Sequence, residues 1–226
     1  MAPDPSKSLG QRLMEWRPLV AIYESRFWRR SGLFARIAGM PFDEELARLS
    51  QEARLDDARR VLDLACGSGI YARPFAHRLE QGRVVGLDLS EPMLAQARRR
   101  CGAEGCTNLD LIRGSALDLP FRSGCFDVVN CCGAVHLFPD VPRALAEIQR
   151  VLAPGGRFTA AVFRRGPSER EVRRAEQRER MMGVHAFSRE EFQGRLADAG
   201  FVAARFPHEH GIWMLAAAEK PGAASA

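Results

Sequence analysis

The sequence predicts an α/β domain: a mostly parallel sheet with helices on both faces. Three observations carry this. Short β-branched runs alternate with longer helical segments between residues 60 and 163. A glycine-bearing turn, Cys66-Gly67-Ser68-Gly69, joins the first such run to a helix. The length, 226 residues with 46% apolar and 27% charged side chains, fills one such domain and is short for two.

The elements follow in order. Arg60–Ala65 reads as the first strand, followed by a helix to about Leu79. Arg83–Leu87 is the second strand. Ser90 then caps a helix with Pro92 in its first turn, running to about Arg100. Leu109–Arg113 and Phe126–Cys131 are strands three and four. Asp140 caps a helix with Pro142 in its first turn, which ends near Leu152, where Pro154-Gly155-Gly156 forces a turn into a fifth strand, Arg157–Phe163. Ser168 with Glu171, and Ser188 with Glu191, fit capping boxes that open two more helices, the second stopped at Gly200. Phe201–Arg205 and Gly211–Leu215 read as two last strands, an antiparallel hairpin joined by residues 206–210 that carries His208 and His210. The sheet then has seven strands. Residues 9–38 and 43–56 are expected to be helical and to cover it.

Net charge is +5, and seven arginines (164, 165, 170, 173, 174, 178 and 180) fall in one stretch. Glu169, Glu171, Glu176 and Glu179 are interleaved with them, which reads as a solvated helix face; contact with a membrane surface stays open. No apolar run is long enough to span a bilayer, and the N-terminus lacks a secretory pattern, so a cytoplasmic location is expected. Six cysteines form no CxxC pair and read as reduced thiols. No spacing of ligand residues suggests a metal site, and His77 and His185 have no evident partner.

The glycine turn is the main chemical signal. Gly67 and Gly69 let backbone approach a ligand closely at the start of a helix. Asp88 ends the second strand 21 residues after Gly67, where an acidic residue grips a ribose diol. Gly67-x-Gly69-x-x-Ala72 also fits the dinucleotide fingerprint, so NAD and S-adenosylmethionine are both compatible with it. The short remainder after the fifth strand favours S-adenosylmethionine; the alternatives are an NAD(P)-dependent oxidoreductase and a protein that uses the same fold for another pathway activity.

Five segments in order carry a family resemblance. They are Val61-Leu62-Asp63-Leu64-Ala65-Cys66-Gly67-Ser68-Gly69, Val85-Gly86-Leu87-Asp88-Leu89-Ser90-Glu91-Pro92-Met93-Leu94, Gly114-Ser115-Ala116-Leu117-Asp118-Leu119-Pro120-Phe121, Phe126-Asp127-Val128-Val129 and 147–156. The chain resembles the class I S-adenosylmethionine-dependent methyltransferases, and within them the ubiquinone/menaquinone-biosynthesis-like (methyltransferase type 11) small-molecule group. Tyr23-Glu24, Trp28-Arg29 and Met40-Pro41 resemble the lead-in of a plant and bacterial branch. The resemblance implies a Rossmann-like sheet and one domain: a helical cover (1–58), a cofactor-binding core (59–163), a charged lid insertion (164–187) and a final helix and hairpin (188–226).

It also implies roles. Asp63 and the backbone of Ala65, Cys66, Gly67 and Gly69 hold the methionine part of the cofactor. Asp88 holds the ribose, Leu89 and Met93 pack on the adenine, and Ser115 and Ala116 meet its edge. Asn130 and Cys131 border the amino-acid end, and Tyr23 belongs to the same site. Two positions depart from the family pattern: Ala65 replaces a glycine, and Ser115 replaces an acidic residue and so accepts a weaker hydrogen bond.

His136, after the fourth strand, is the candidate base for an oxygen or carbon nucleophile. Its other reading is a histidine that only packs. Trp16, Tyr23, Phe27, Trp28, Phe34 and Phe42 supply aromatic surface near the N-terminus, as core contacts or as a pocket lining. The expected acceptor is a small molecule: a quinol, a phenol, a polyketide or a lipid-like compound. No nucleic acid is expected, because Asn130-Cys131-Cys132-Gly133 lacks the Asn/Asp-Pro-Pro-aromatic tetrapeptide of DNA-amino methyltransferases. The sequence leaves the oligomeric state open.

Overall fold

A computed structural model describes residues 31–79 and 81–223. Trp16, Tyr23, Phe27, Trp28 and most of the 9–38 segment lie outside the described residues. The seven strands are β1 (Arg60–Leu64), β2 (Arg83–Asp88), β3 (Leu109–Arg113), β4 (Phe126–Cys132), β5 (Leu152–Phe163), β6 (Val202–His210) and β7 (Trp213–Glu219). They form one sheet in the order β3-β2-β1-β4-β5-β7-β6. Strands β1 to β5 pair in parallel, and β7 runs antiparallel between β5 and β6.

The helices are α1 (Gly32–Ala38), α2 (Phe42–Glu52), α3 (Ala72–Arg78), α4 (Glu91–Glu104), α5 (Val141–Val151), α6 (Glu169–Met182) and α7 (Arg189–Asp198). Two apolar cores show how they are layered. Leu62, Leu64, Val129 and Phe158 pack with Leu145 and Ile148 of α5 and Phe192 and Leu196 of α7. Val61, Val128 and Ala161 pack on the other face with Leu49 of α2, Phe75 of α3 and Leu94 of α4. Alternation along a strand explains the division, since adjacent residues face opposite sides.

Local chemistry sets the element ends. The Ser90 and Asp140 side chains accept the N–H groups of Met93 and Arg143, as caps of α4 and α5. Ser168 and Glu171 form the full reciprocal capping box of α6. Lys220 Nζ donates to the carbonyls of Gln149 and Leu152, 2.8 Å each, at the end of α5. The Asn108 amide donates to the carbonyls of Ala76 and Leu79 and ties down the end of α3.

Two sequence expectations need correction. Residues 206–210 belong to β6 rather than to a connection, and the hairpin turns at Gly211-Ile212. The polar histidines of that stretch read as a loop, yet a strand at the edge of a sheet tolerates them on its wet side. The turn at 154–156 falls inside β5, where the pairing to β4 shifts register.

Candidate functional site

The strand order reverses direction between β1 and β4, and a crevice opens there at the carboxyl ends of the strands. Ala65 leaves β1 with φ +55°, followed by Gly67 at +56° and Gly69 at +81°. Such a run of left-handed residues curls the backbone sharply before α3 starts. Asp88, at the end of β2, faces this turn. Its carboxylate accepts the Gly67 N–H at 2.8 Å and the Ser90 N–H at 2.8 Å.

A cavity of about 440 Å³ lies against this arrangement, within the range of small-molecule sites. Of the residues the sequence singled out, Ala65, Cys66, Gly67, Asp88, Leu89, Met93, Ser115 and Ala116 line it. The sequence reading missed several lining residues: Ile70, Tyr71, Arg113, Leu117, Cys132 and the segment 133–134 and 137–139. Tyr71 pairs through its hydroxyl with the buried carboxylate of Glu45 from α2, a contact no local pattern could signal.

Asp63, Gly69, Asn130 and Cys131 do not line the cavity. Asp63 and Asn130 are neighbours in the β1–β4 register and lie just beneath it. Thr159 Oγ1 and Cys132 Sγ donate to Asn130 Oδ1 (3.0 and 3.1 Å), and Asn130 Nδ2 donates to Asp63 Oδ1 (2.7 Å). At the end of β4 the side chain that reaches the cavity is Cys132, not Cys131. The two neighbours face opposite sides of the sheet, and Cys131 is sealed in the core. The Ser115 hydroxyl accepts the Leu117 N–H at 3.2 Å and so stiffens its own turn.

Asp63 is fully buried and its Oδ2 has no hydrogen-bond partner. Burial is the largest influence on its carboxyl and raises the pKa from 3.8 to about 7, against the lowering effect of Asn130. A buried carboxylate oxygen without a donor, next to a glycine turn, suits a ligand that brings a positive charge.

His136 sits in a 3-10 turn, Val135–Leu137, whose other members reach the cavity or core. Its ring packs on Phe163 (4.2 Å between centroids) and Trp213 (6.1 Å), and it does not line the cavity. Burial first, and then Arg178 and His185, lower its pKa from 6.5 to about 3, so the imidazole is neutral. Its Nδ1 is buried without a partner. His185 is far from partnerless: it contacts Glu179 Oε1 at 2.7 Å and Glu191 Oε1 at 2.8 Å, and its N–H donates to the His136 carbonyl. Phe34 and Phe42 behave as core residues, packed on Trp213 and Tyr71. Arg164, Arg165 and Arg173 pair with Glu171, Glu191 and Glu169, in line with a solvated face.

Residues 61–156 match the family model described as a methyltransferase domain. Over 135 residues the chain is 38% identical to a demethylmenaquinone methyltransferase of Thermus thermophilus, covering 59% of this chain and 61% of that one. Residues 61–156 thus form a methyltransferase domain similar to that of the class I S-adenosylmethionine-dependent methyltransferases. Over 153 residues it is 35% identical to an uncharacterized chloroplastic methyltransferase of Arabidopsis thaliana, covering 66% of this chain and 43% of that one. The chain therefore spans about half the length of these relatives. A solved phosphoethanolamine N-methyltransferase 2 of Haemonchus contortus, in complex with S-adenosylmethionine, shares the fold. It has TM-score 0.74 and 20% identity, and covers 97% of this chain and 61% of that one. Of the two cofactors that the glycine turn left open, the similarity to methyltransferases favours S-adenosylmethionine. No helix among the described residues is long and apolar enough to cross a membrane.

Proposed function

We propose that the chain moves the methyl group of S-adenosylmethionine to an oxygen or carbon of a small apolar or aromatic acceptor. The carrying observation is the Asp88 carboxylate, fixed against the Gly67 turn at the mouth of a cavity at the strand ends. In this reading Asp88 accepts from the ribose hydroxyls, Leu89 and Met93 flank the adenine, and Ser115 and Ala116 meet its edge. The Ala65–Gly69 backbone and Asp63 hold the amino-acid end, with Asn130 orienting Asp63 from below. Tyr23 belongs to the same proposal.

S-adenosylmethionine supplies an activated methyl group that needs in-line alignment with its nucleophile more than it needs acid–base help. The chain's task is to orient and to exclude water. The cavity wall beyond the glycine turn is mostly apolar, with Ile70, Tyr71, Leu117, Leu137 and Phe138. That surface favours a flat or lipid-like acceptor such as a quinol, phenol or polyketide, and the name of the Thermus relative points to the quinol. His136, the base the sequence suggested, packs on Phe163 and Trp213 outside the cavity lining, and burial holds its pKa near 3, so it is too weak and too remote a base, and the proposal places no proton transfer on it. The N-terminal helices and residues 164–187 form the cover. A cytoplasmic location belongs to the same reading.

The test incubates the chain with S-adenosylmethionine and a panel of reduced quinones, simple phenols and polyketides. S-adenosylhomocysteine and a methylated product by mass spectrometry are expected for at least one class. Cofactor binding with no transfer to any of them contradicts the proposed acceptor.

A further inference from the structure

At the opposite end of the sheet from the cavity, the C-terminal ends of α3 and α4 bring together three side chains of metal-binding type. His77 Nε2 lies 3.5 Å from Cys106 Sγ and 3.6 Å from Glu104 Oε2. All three ligand atoms fall within 4.8 Å of one another. We propose that His77, Glu104 and Cys106 form a binding site for a divalent zinc-like cation, separate from the methyl-transfer site.

The spacing supports it. Tetrahedral zinc with bonds of about 2.0–2.1 Å to nitrogen and oxygen and about 2.3 Å to sulfur places N and S about 3.6 Å apart, and N and O about 3.4 Å apart. The two edges from His77, 3.5 Å to sulfur and 3.6 Å to oxygen, already stand close to those lengths. A thiolate, an imidazole and a carboxylate together select a borderline-soft ion over magnesium or calcium. Each ligand is also oriented. Arg73 engages Glu104 through Oε1 and leaves Oε2 toward His77. Gly105 takes a left-handed conformation after α4, which turns the chain so that Cys106 faces back over α3. The Cys101 thiol donates to the Cys106 carbonyl and holds that bend. His77 and Glu104 are 49% and 40% exposed, so an ion can enter and water can complete a fourth position. Binding displaces the Cys106 thiol proton to solvent and forms the metal–sulfur bond; no redox step is involved. The ion would staple α3 to α4 across the β1–β3 edge of the sheet. Residues 77, 104 and 106 have no sequence spacing that would reveal this.

Cobalt(II) titration of the reduced full-length chain tests it, because a thiolate–cobalt bond gives a near-ultraviolet charge-transfer band. One equivalent is expected to saturate the band, and zinc is expected to bleach it. H77Q and C106S should each weaken binding at least about tenfold, while S-adenosylhomocysteine affinity and circular dichroism stay unchanged. Absence of the band at one equivalent overturns the proposal. So does a band that survives in C106S, which would place the metal on other cysteines, or one indifferent to H77Q.

Discussion

Asp88 accepts from two backbone N–H groups, so its carboxylate is oriented before any ligand arrives. If it also holds the ribose, Asp88→Asn should weaken S-adenosylhomocysteine about tenfold to a hundredfold, at about 1.5–3 kcal/mol per charged hydrogen bond lost; calorimetry reads it directly. Ala65 adopts φ +55°, a region that costs a side-chain-bearing residue about 1–2 kcal/mol. Glycine's extra entropy cost is about 0.5–1 kcal/mol, so strain wins. Ala65→Gly should raise stability by up to about 1 kcal/mol, a melting shift of about 2–4 °C, and Ala65→Val should lower it. Asp63 tests the electrostatics. Its folded pKa, about 7, is above its unfolded value, so its favourable contribution is complete below that unfolded value and is lost as pH rises through 7. His136, pushed down to about 3, works in the opposite sense: its contribution is complete above pH 6.5 and is lost as pH falls. Comparison with Asp63→Asn isolates the first effect. Between pH 5 and 8 the variant should gain melting temperature relative to the wild type; parallel curves would contradict a buried carboxyl whose pKa is raised to about 7. At this scale the sequence revealed residues that line the cavity through backbone or strand-end position. It did not reveal Tyr71 or Cys132, which depend on a partner 26 residues away in the first case and on strand phase in the second.

Among the elements, α6 stands out because only Ala175 of its side chains is buried. It is held instead by its capping box, by Arg178 over the Phe163 ring at 5.3 Å, and by the His185 bridge from Glu179 to Glu191. Such an element opens at low free energy. Ser168→Ala should cost about 1 kcal/mol of local stability, seen as faster amide hydrogen exchange across 169–182 with the β1–β5 amides unchanged. If exchange rises everywhere instead, α6 is part of the cooperative core and unsuited to a lid. Capping signals made the helices legible to within a few residues. The hairpin was misjudged because polar residues on an edge strand resemble a loop, and His185 found its partners only through folding of α6 against α7.

For the whole molecule, alternation of strand and helix with one glycine turn was enough to give sheet class, strand count and the position of the crevice. The far wall of the cavity was less legible, because it comes from residues 133–134 and 137–139, whose geometry no local pattern encodes. The proposed binding of S-adenosylmethionine in this crevice connects these features. The most direct measurement is calorimetric titration of S-adenosylhomocysteine into the full chain, with Asp88→Ala beside it. One site per chain is expected, with affinity reduced at least about tenfold in the variant. No binding to the wild type, or equal binding by both proteins, would contradict it.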